Sequence, residues 1–199
     1  VRLGAELDPW VYGGKAAHLS AAARAGLPVP DGVALSWSDT ETVAMGKGLE
    51  TTAEPSPVPD LGDGLAHQVV AVRSSAVGED SREASFAGQH LTVLNVTGPE
   101  TIRGAIRRVW VSGREESAMA YRRRLGLDDD PRIGVIVQRL VEAEVAGVLF
   151  TCDPVSGSMD HWLVEASWGL GVAVVDGLVT PDLYVLQPGG RLVDSFLGT

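Results

Sequence analysis

Residues 72–89, VRSSAVGEDSREASFAGQ, set an arginine between an apolar run and a stretch of small residues. Residues 69–72 read as a short buried strand. Arg73 and the Ser74/Ser75 pair follow at its end, then the acidic pair Glu79/Asp80 and the small-residue run 84–88. A guanidinium offers several donors in a fixed fork, and glycine lets backbone amides approach an anion with no side chain between them. The chemistry this suits is the holding of phosphate, with a nucleotide as the expected ligand. An arginine emerging from an apolar strand needs a partner, because an unpaired charge there is costly. A structural ion pair with Glu79, Asp80 or Glu83 would meet that need equally well. Glu79 and Asp80 could hold a metal or tether the loop, and tethering is the preferred reading.

Tyr12-Gly13-Gly14-Lys15 precedes a helical pattern, which sets Lys15 near a helix N-terminus, where free amides and the helix dipole attract anions. This is not a Walker A loop, which needs two separated glycines and a Ser or Thr after the lysine. Alone it reads as a plain surface feature. Gln138 closes the run Val135-Ile136-Val137, and a strand end of that kind could offer backbone and amide groups to an adenine edge. An ordinary edge-strand glutamine is the alternative. Asp153, in Phe150-Thr151-Cys152-Asp153-Pro154, reads as a turn-forming side chain rather than a metal ligand. Glu165, at a strand end before Trp168-Gly169-Leu170-Gly171, could be catalytic, but tight packing explains the glycines as well. Without a third glycine they are no dinucleotide fingerprint. His18, His67, His90 and His161 lack ligand spacing, so no metal site is assigned.

These residues must be carried by a mixture of helices and strands. Residues 14–26 form one helix, with Ala16, Leu19 and Ala23 at three- and four-residue spacing and Gly26 as its stop. Residues 33–35 form a strand, and the signal weakens between Ser36 and His67. Pro55, Pro57 and Pro59 with Gly62 and Gly64 mark a Pro/Gly-rich linker at about residues 50–65. Residues 90–96 alternate toward a strand. A helix follows from Thr97-Gly98-Pro99-Glu100, burying Ile102, Ile106, Val109 and Trp110, and a second helix runs from Glu115 to near Leu125. Strands are expected at 133–140 and 145–151, joined as a hairpin, at 161–166, and as a last hairpin around Pro188-Gly189-Gly190. The pattern predicts an α+β fold with a largely antiparallel sheet and flanking helices.

The bulk numbers restrict the function classes. At 199 residues and 45% hydrophobic content the chain can bury a core. A net charge of −10 argues against broad binding to nucleic acid or to an anionic membrane, so a polyphosphate must be held by a few local cations. Cys152 is the sole cysteine, which excludes an intrachain disulfide. No apolar run reaches the roughly 18 residues of a membrane span, and the first residues do not resemble a signal peptide. A cytoplasmic protein is expected.

Five blocks occur in an order that resembles the N-terminal ATP-binding domain of phosphoenolpyruvate synthase, pyruvate phosphate dikinase and rifampin phosphotransferase, a branch of the ATP-grasp proteins. They are GGKAAHLSAAARAGLPVPDG, VAVRSSAVGEDSREASFAGQ, VIVQRLVEAEVAGVLFTCDPVSG, VEASWGLG and DGLVTPDLY. The resemblance implies a partial ATP-grasp fold across residues 1–199. It also implies that Lys15 and Arg73 contact the ATP phosphates and are the catalytic pair, that the loop around Gly88 covers the nucleotide with Thr92 nearby, and that Gln138 lies at the adenine. Such proteins cleave ATP to AMP and pass phosphate through a histidine on a swivelling domain, and the catalysis is mostly positioning and charge neutralisation.

The same resemblance places a second lobe with the magnesium ligands, the histidine domain and the acceptor-binding domain outside these residues. Mg2+ is therefore expected only if that lobe is supplied, and a separate partner chain is one way to supply it. Residues 36–69 are shorter than the corresponding stretch of the family, and Val172 stands where the family commonly has glutamate. The first expectation is an ATP-binding lobe of a phosphotransferase with an unknown acceptor. The alternatives are a non-catalytic nucleotide-binding or interaction module, and a truncated remnant.

Overall fold

The computed structural model describes residues 1–46, 62–78, 91–124, 126 and 129–198. In chain order the elements are α1 (Pro9–Tyr12), α2 (Gly14–Arg24), β1 (Gly32–Leu35), α3 (Trp37–Met45), α4 (Gly62–Leu65), β2 (Val70–Ala76) and β3 (Thr92–Val96). Then come α5 (Pro99–Ser112), α6 (Glu116–Arg124), β4 (Ile133–Arg139), β5 (Val145–Phe150), β6 (Trp162–Trp168), α7 (Val172–Val175), β7 (Asp182–Leu186) and β8 (Leu192–Phe196). They form two compact units, Val1–Leu140 and Val141–Thr199. Each has a four-stranded sheet, in the orders β1-β4-β2-β3 and β5-β6-β7-β8. The pairings within both sheets are antiparallel, in agreement with the α+β expectation.

The first unit is built around β4. Its sequence, IGVIVQR, is apolar without alternation because both faces are covered. Val135 and Val137 pack on one face with Val70, Val72 and the α5 side chains Ile102, Ile106 and Val109. Ile136 packs on the other with Ala34, Ala16 and Leu7. Helix α5 starts with proline in its first turn after Gly98 and buries one three- and four-residue stripe. Trp110 is only half-buried, with the Arg114 guanidinium 3.7 Å from the centre of its ring. Helix α3 lies where the sequence signal is weak. It is capped by Ser36, whose hydroxyl accepts from the Asp39 amide, and stopped by Gly46 in the left-handed region.

Several expectations change. Arg73 is not at a strand end: Ser74, Ser75 and Ala76 continue the ladder opposite Val135, Gly134 and Ile133. Gly134 permits this, since a Cβ there would lie 2.6 Å from the Tyr12 carbonyl oxygen and 3.1 Å from that of Ser75. Gln138 is not on an edge strand, because β4 is flanked by β1 and β2. For the same reason β4 and β5 form no hairpin. Both edges of β4 are occupied, and β5 pairs with β6 in the other sheet. Of the expected linker, residues 50–61 lie outside the described residues, whereas Gly62 and Gly64 fall in helix α4.

The second unit is a meander in which successive strands pair. Gly147 brings β5 against β6, where an added Cβ would lie 2.3 Å from the Glu165 carbonyl oxygen. Glu165 is in the middle of β6, opposite Val148 and Leu183, rather than at its end. The buried apolar residues among those described all belong to the first unit.

Candidate functional site

The start of α2 is set by two short-range devices. The Asp8 carboxylate accepts from the Trp10 amide at 2.9 Å and Pro9 opens α1, so that the chain turns at Gly13. Gly13 has φ 81° and ψ 161°, a region open in practice only to glycine. It also lies against β2: a Cβ would sit 2.0 Å from the Ser75 carbonyl oxygen. The next residues enter the helix, and the Lys15 ammonium donates to the Ser74 carbonyl at 3.2 Å. Lys15 is thereby held against the strand that carries Arg73.

Strand register supplies the rest. Arg73 lies opposite Thr92 on β3 and Ile136 on β4, and Gln138 is two residues along β4 from Ile136. Residues directly opposite one another share a face of an antiparallel pair, and alternate residues of a strand share a face. Arg73, Thr92, Ile136 and Gln138 therefore occupy one face, the one against which Ala16 of α2 packs. Arg73 is half-buried and Thr92 exposed, while Gln138 is buried with its amide nitrogen donating to the Pro30 carbonyl at 3.0 Å. Four of the five expected site residues thus come together at the α2 face of the first sheet. Gly88 lies outside the described residues, as do Glu79, Asp80 and Glu83.

Asp153 and Glu165 belong to the other unit. Asp153 acts as the turn former its sequence suggests, with the Ser156 hydroxyl donating to its carboxylate at 2.6 Å and the Val155 amide at 2.8 Å. The Ser156 hydroxyl first, then the Val155 amide, hold that carboxyl below the usual range. No cluster of three or more His, Cys, Asp or Glu able to hold a metal ion occurs among the described residues.

The sequence reading missed Ser75. Its hydroxyl, fully buried, accepts from the Ala16 amide at 2.9 Å. The available signal was a pair of hydroxyl side chains in a buried strand, where polar atoms need partners. Ser74 shows the contrast, because its buried hydroxyl has no hydrogen-bond partner among the described residues.

Residues 58–196 match the family described as the pyruvate phosphate dikinase AMP/ATP-binding domain. The chain belongs to that family. As a pyruvate phosphate dikinase-like ATP-binding domain it is 35% identical to a probable phosphoenolpyruvate synthase of Methanothermobacter thermautotrophicus, over 96% of this chain and 34% of that protein. It is 38% identical to a rifampicin phosphotransferase of Streptomyces sviceus, over 90% of this chain and 25% of that protein. A prodigiosin synthesizing transferase of Serratia marcescens is 36% identical over 91% of this chain and 22% of its own length. The domain thus spans about a third or less of these curated relatives. The first alignment extends over 233 residues against 199 here, so that relative carries additional residues within the aligned stretch. Among the described residues, no helix of the domain is long and apolar enough to cross a membrane.

Proposed function

We propose that this domain binds ATP on the α2 face of its first sheet, with Lys15 and Arg73 on the phosphates, Thr92 and the loop around Gly88 beside them, and Gln138 toward the adenine. The observation that carries this reading is the convergence of Lys15, Arg73, Thr92 and Gln138 on one face of three adjacent strands and the helix beside them. Two cations held by a rigid sheet and a helix start can neutralise phosphate charge without reorganising when the ligand arrives, which is the main protein contribution to phosphoryl transfer. Gln138 contributes through position: its side-chain nitrogen is engaged by Pro30, which fixes the amide plane and leaves the oxygen as the acceptor to be offered.

In this reading the domain is the nucleotide-binding part of an ATP-dependent phosphotransferase. Magnesium ligands, the phosphate-carrying group and the acceptor site are supplied by polypeptide outside these residues, in a partner chain or otherwise. The lengths of the relatives support that division. The same lengths favour a second reading, a nucleotide-binding module without turnover.

Calorimetric titration with ATP, with and without Mg2+, tests the site. Binding is expected without Mg2+, and Lys15→Ala or Arg73→Ala should weaken it roughly tenfold to a hundredfold, the value of one charge-assisted contact. Affinity unchanged in both variants would remove the proposal. AMP formation once the purified domain is supplemented with cell extract separates the phosphotransferase reading from the module without turnover.

A further inference from the structure

Helix α2 begins without a cap of its own. Its N-cap residue is Gly13, which makes no side-chain hydrogen bond, and the following residues are Gly14, Lys15 and Ala16. An N-cap side chain ordinarily accepts from the amide two or three residues into the helix. Here the amide in the third position, that of Ala16, is taken instead by Ser75, 59 residues away on β2. Three contacts converge on this junction. The Ser75 hydroxyl holds the Ala16 amide at 2.9 Å, the Ser74 carbonyl holds the Lys15 ammonium at 3.2 Å, and Gly13 lies against Ser75 so closely that no Cβ could enter. The bond from Ser75 is buried, so water does not compete for it, and it fixes the first turn of α2 to the strand two residues from Arg73.

We propose that Ser75 is a positioning residue of the nucleotide site, a cap supplied in trans that sets the helix start, and with it Lys15, at a fixed place relative to Arg73. The proposal rests on the reading of Lys15 and Arg73 as phosphate ligands. Ser75 touches no ligand in it. Two cations that must grip one polyphosphate are useful only at a fixed separation, since misplacement by about 1 Å is enough to cost a large part of the benefit of orientation. A local N-cap serine would satisfy the Ala16 amide but would leave helix and strand free to shift. A cap on β2 couples them.

Ser75→Ala in the full chain tests the device, with Ser20→Ala as its control. Ser20 lies on the same helix, and its buried hydroxyl donates to the Ala5 carbonyl and accepts from the Gly4 amide, so its loss also removes packing of α2. Calorimetry is expected to show ATP affinity about tenfold weaker in Ser75→Ala, with affinity in Ser20→Ala within about twofold of wild type, since a misplaced Lys15 loses part of one charge-assisted contact. In the Lys15→Ala background the further loss from Ser75→Ala should shrink to less than about twofold, because residues that act through one another are not additive. Full additivity would show that Ser75 does not act through Lys15 and would overturn the proposal, as would equal losses from Ser75 and Ser20. Amide hydrogen exchange on the wild-type protein supplies a readout that needs no variant to fold. The Ala16 amide should be protected, and exchange as fast as an exposed helix-start amide would overturn the cap. If wild type binds no ATP while the Ala16 amide is protected, the site reading fails and the proposed role of Ser75 in nucleotide binding fails with it; the trans cap alone survives. If Arg73→Ala weakens binding and Ser75→Ala does not, the positioning role alone fails.

Discussion

Gly13→Ala is the most direct test of the junction between α2 and β2. Two penalties are expected. The φ of 81° with ψ of 161° belongs to a region that costs an L-residue on the order of 1–3 kcal/mol. The added methyl would also lie 2.0 Å from the Ser75 carbonyl oxygen, 2.4 Å from its carbon and 2.5 Å from its hydroxyl. Two of these atoms are backbone in a paired strand, so no rotamer relieves the overlap, and helix and strand must separate by more than an ångström. Overpacking of that kind costs about 1–3 kcal/mol. Gly26→Ala is the comparison, because Gly26 also has a positive φ of 81° but open space where its Cβ would point, so its substitution carries a backbone cost without an overlap. Gly13→Ala should therefore be less stable than Gly26→Ala by about 1–3 kcal/mol, measured by urea denaturation followed by far-UV circular dichroism. It should also bind ATP more weakly, by the displacement of Lys15. Equal stability of the two variants, to within about 0.5 kcal/mol, would show that Gly13 and Ser75 are not in contact and would refute the description of the junction.

Ile136→Ala, at a fully buried position on the site face itself, should destabilise the first unit by about 2–5 kcal/mol in the same denaturation assay. Arg114→Ala should cost about 1 kcal/mol and change the fluorescence of Trp110. Arg114→Lys should restore only part of the loss, since a lysine cannot lay a planar group on the indole. The depressed pKa of Asp153 means that its hydrogen bonds contribute stability above the ordinary carboxylate pKa, and that this contribution is lost as pH falls through the lower folded-state value. Ser156→Ala removes the largest cause, so carboxyl NMR titration should show the Asp153 pKa moving upward and the acid dependence of that turn becoming weaker.

Most of the elements were legible in the sequence because their signals are local. The stripe Ile102, Ile106 and Val109 is a helix at short range, and Gly13-Gly14-Lys15 announces a helix start before any partner is known. Helix α3 was not assigned from the sequence: Ser36 with Asp39 three residues later is a local start signal, but few apolar residues mark its buried face. Pairing was not accessible. The sequence places β4 next to β5 along the chain, and only the occupation of both β4 edges by β1 and β2 excludes the hairpin. A strand run of Val-Arg-Ser-Ser-Ala likewise looks finished at the arginine until Gly134 and Ile133 are found opposite its last residues.

The sequence by itself determined an α+β chain, acidic overall, with a lysine after two glycines, an arginine after a valine strand and a glutamine closing another, in the order of a known family of ATP-binding domains. The tertiary structure decided that Lys15, Arg73, Thr92 and Gln138 share one face, and that Ser75 joins the helix to the strand. The division has a physical cause. Helix starts and apolar periodicity are written within a few residues, whereas strand register and a cap from 59 residues away are settled only when the whole sheet has competed for its edges.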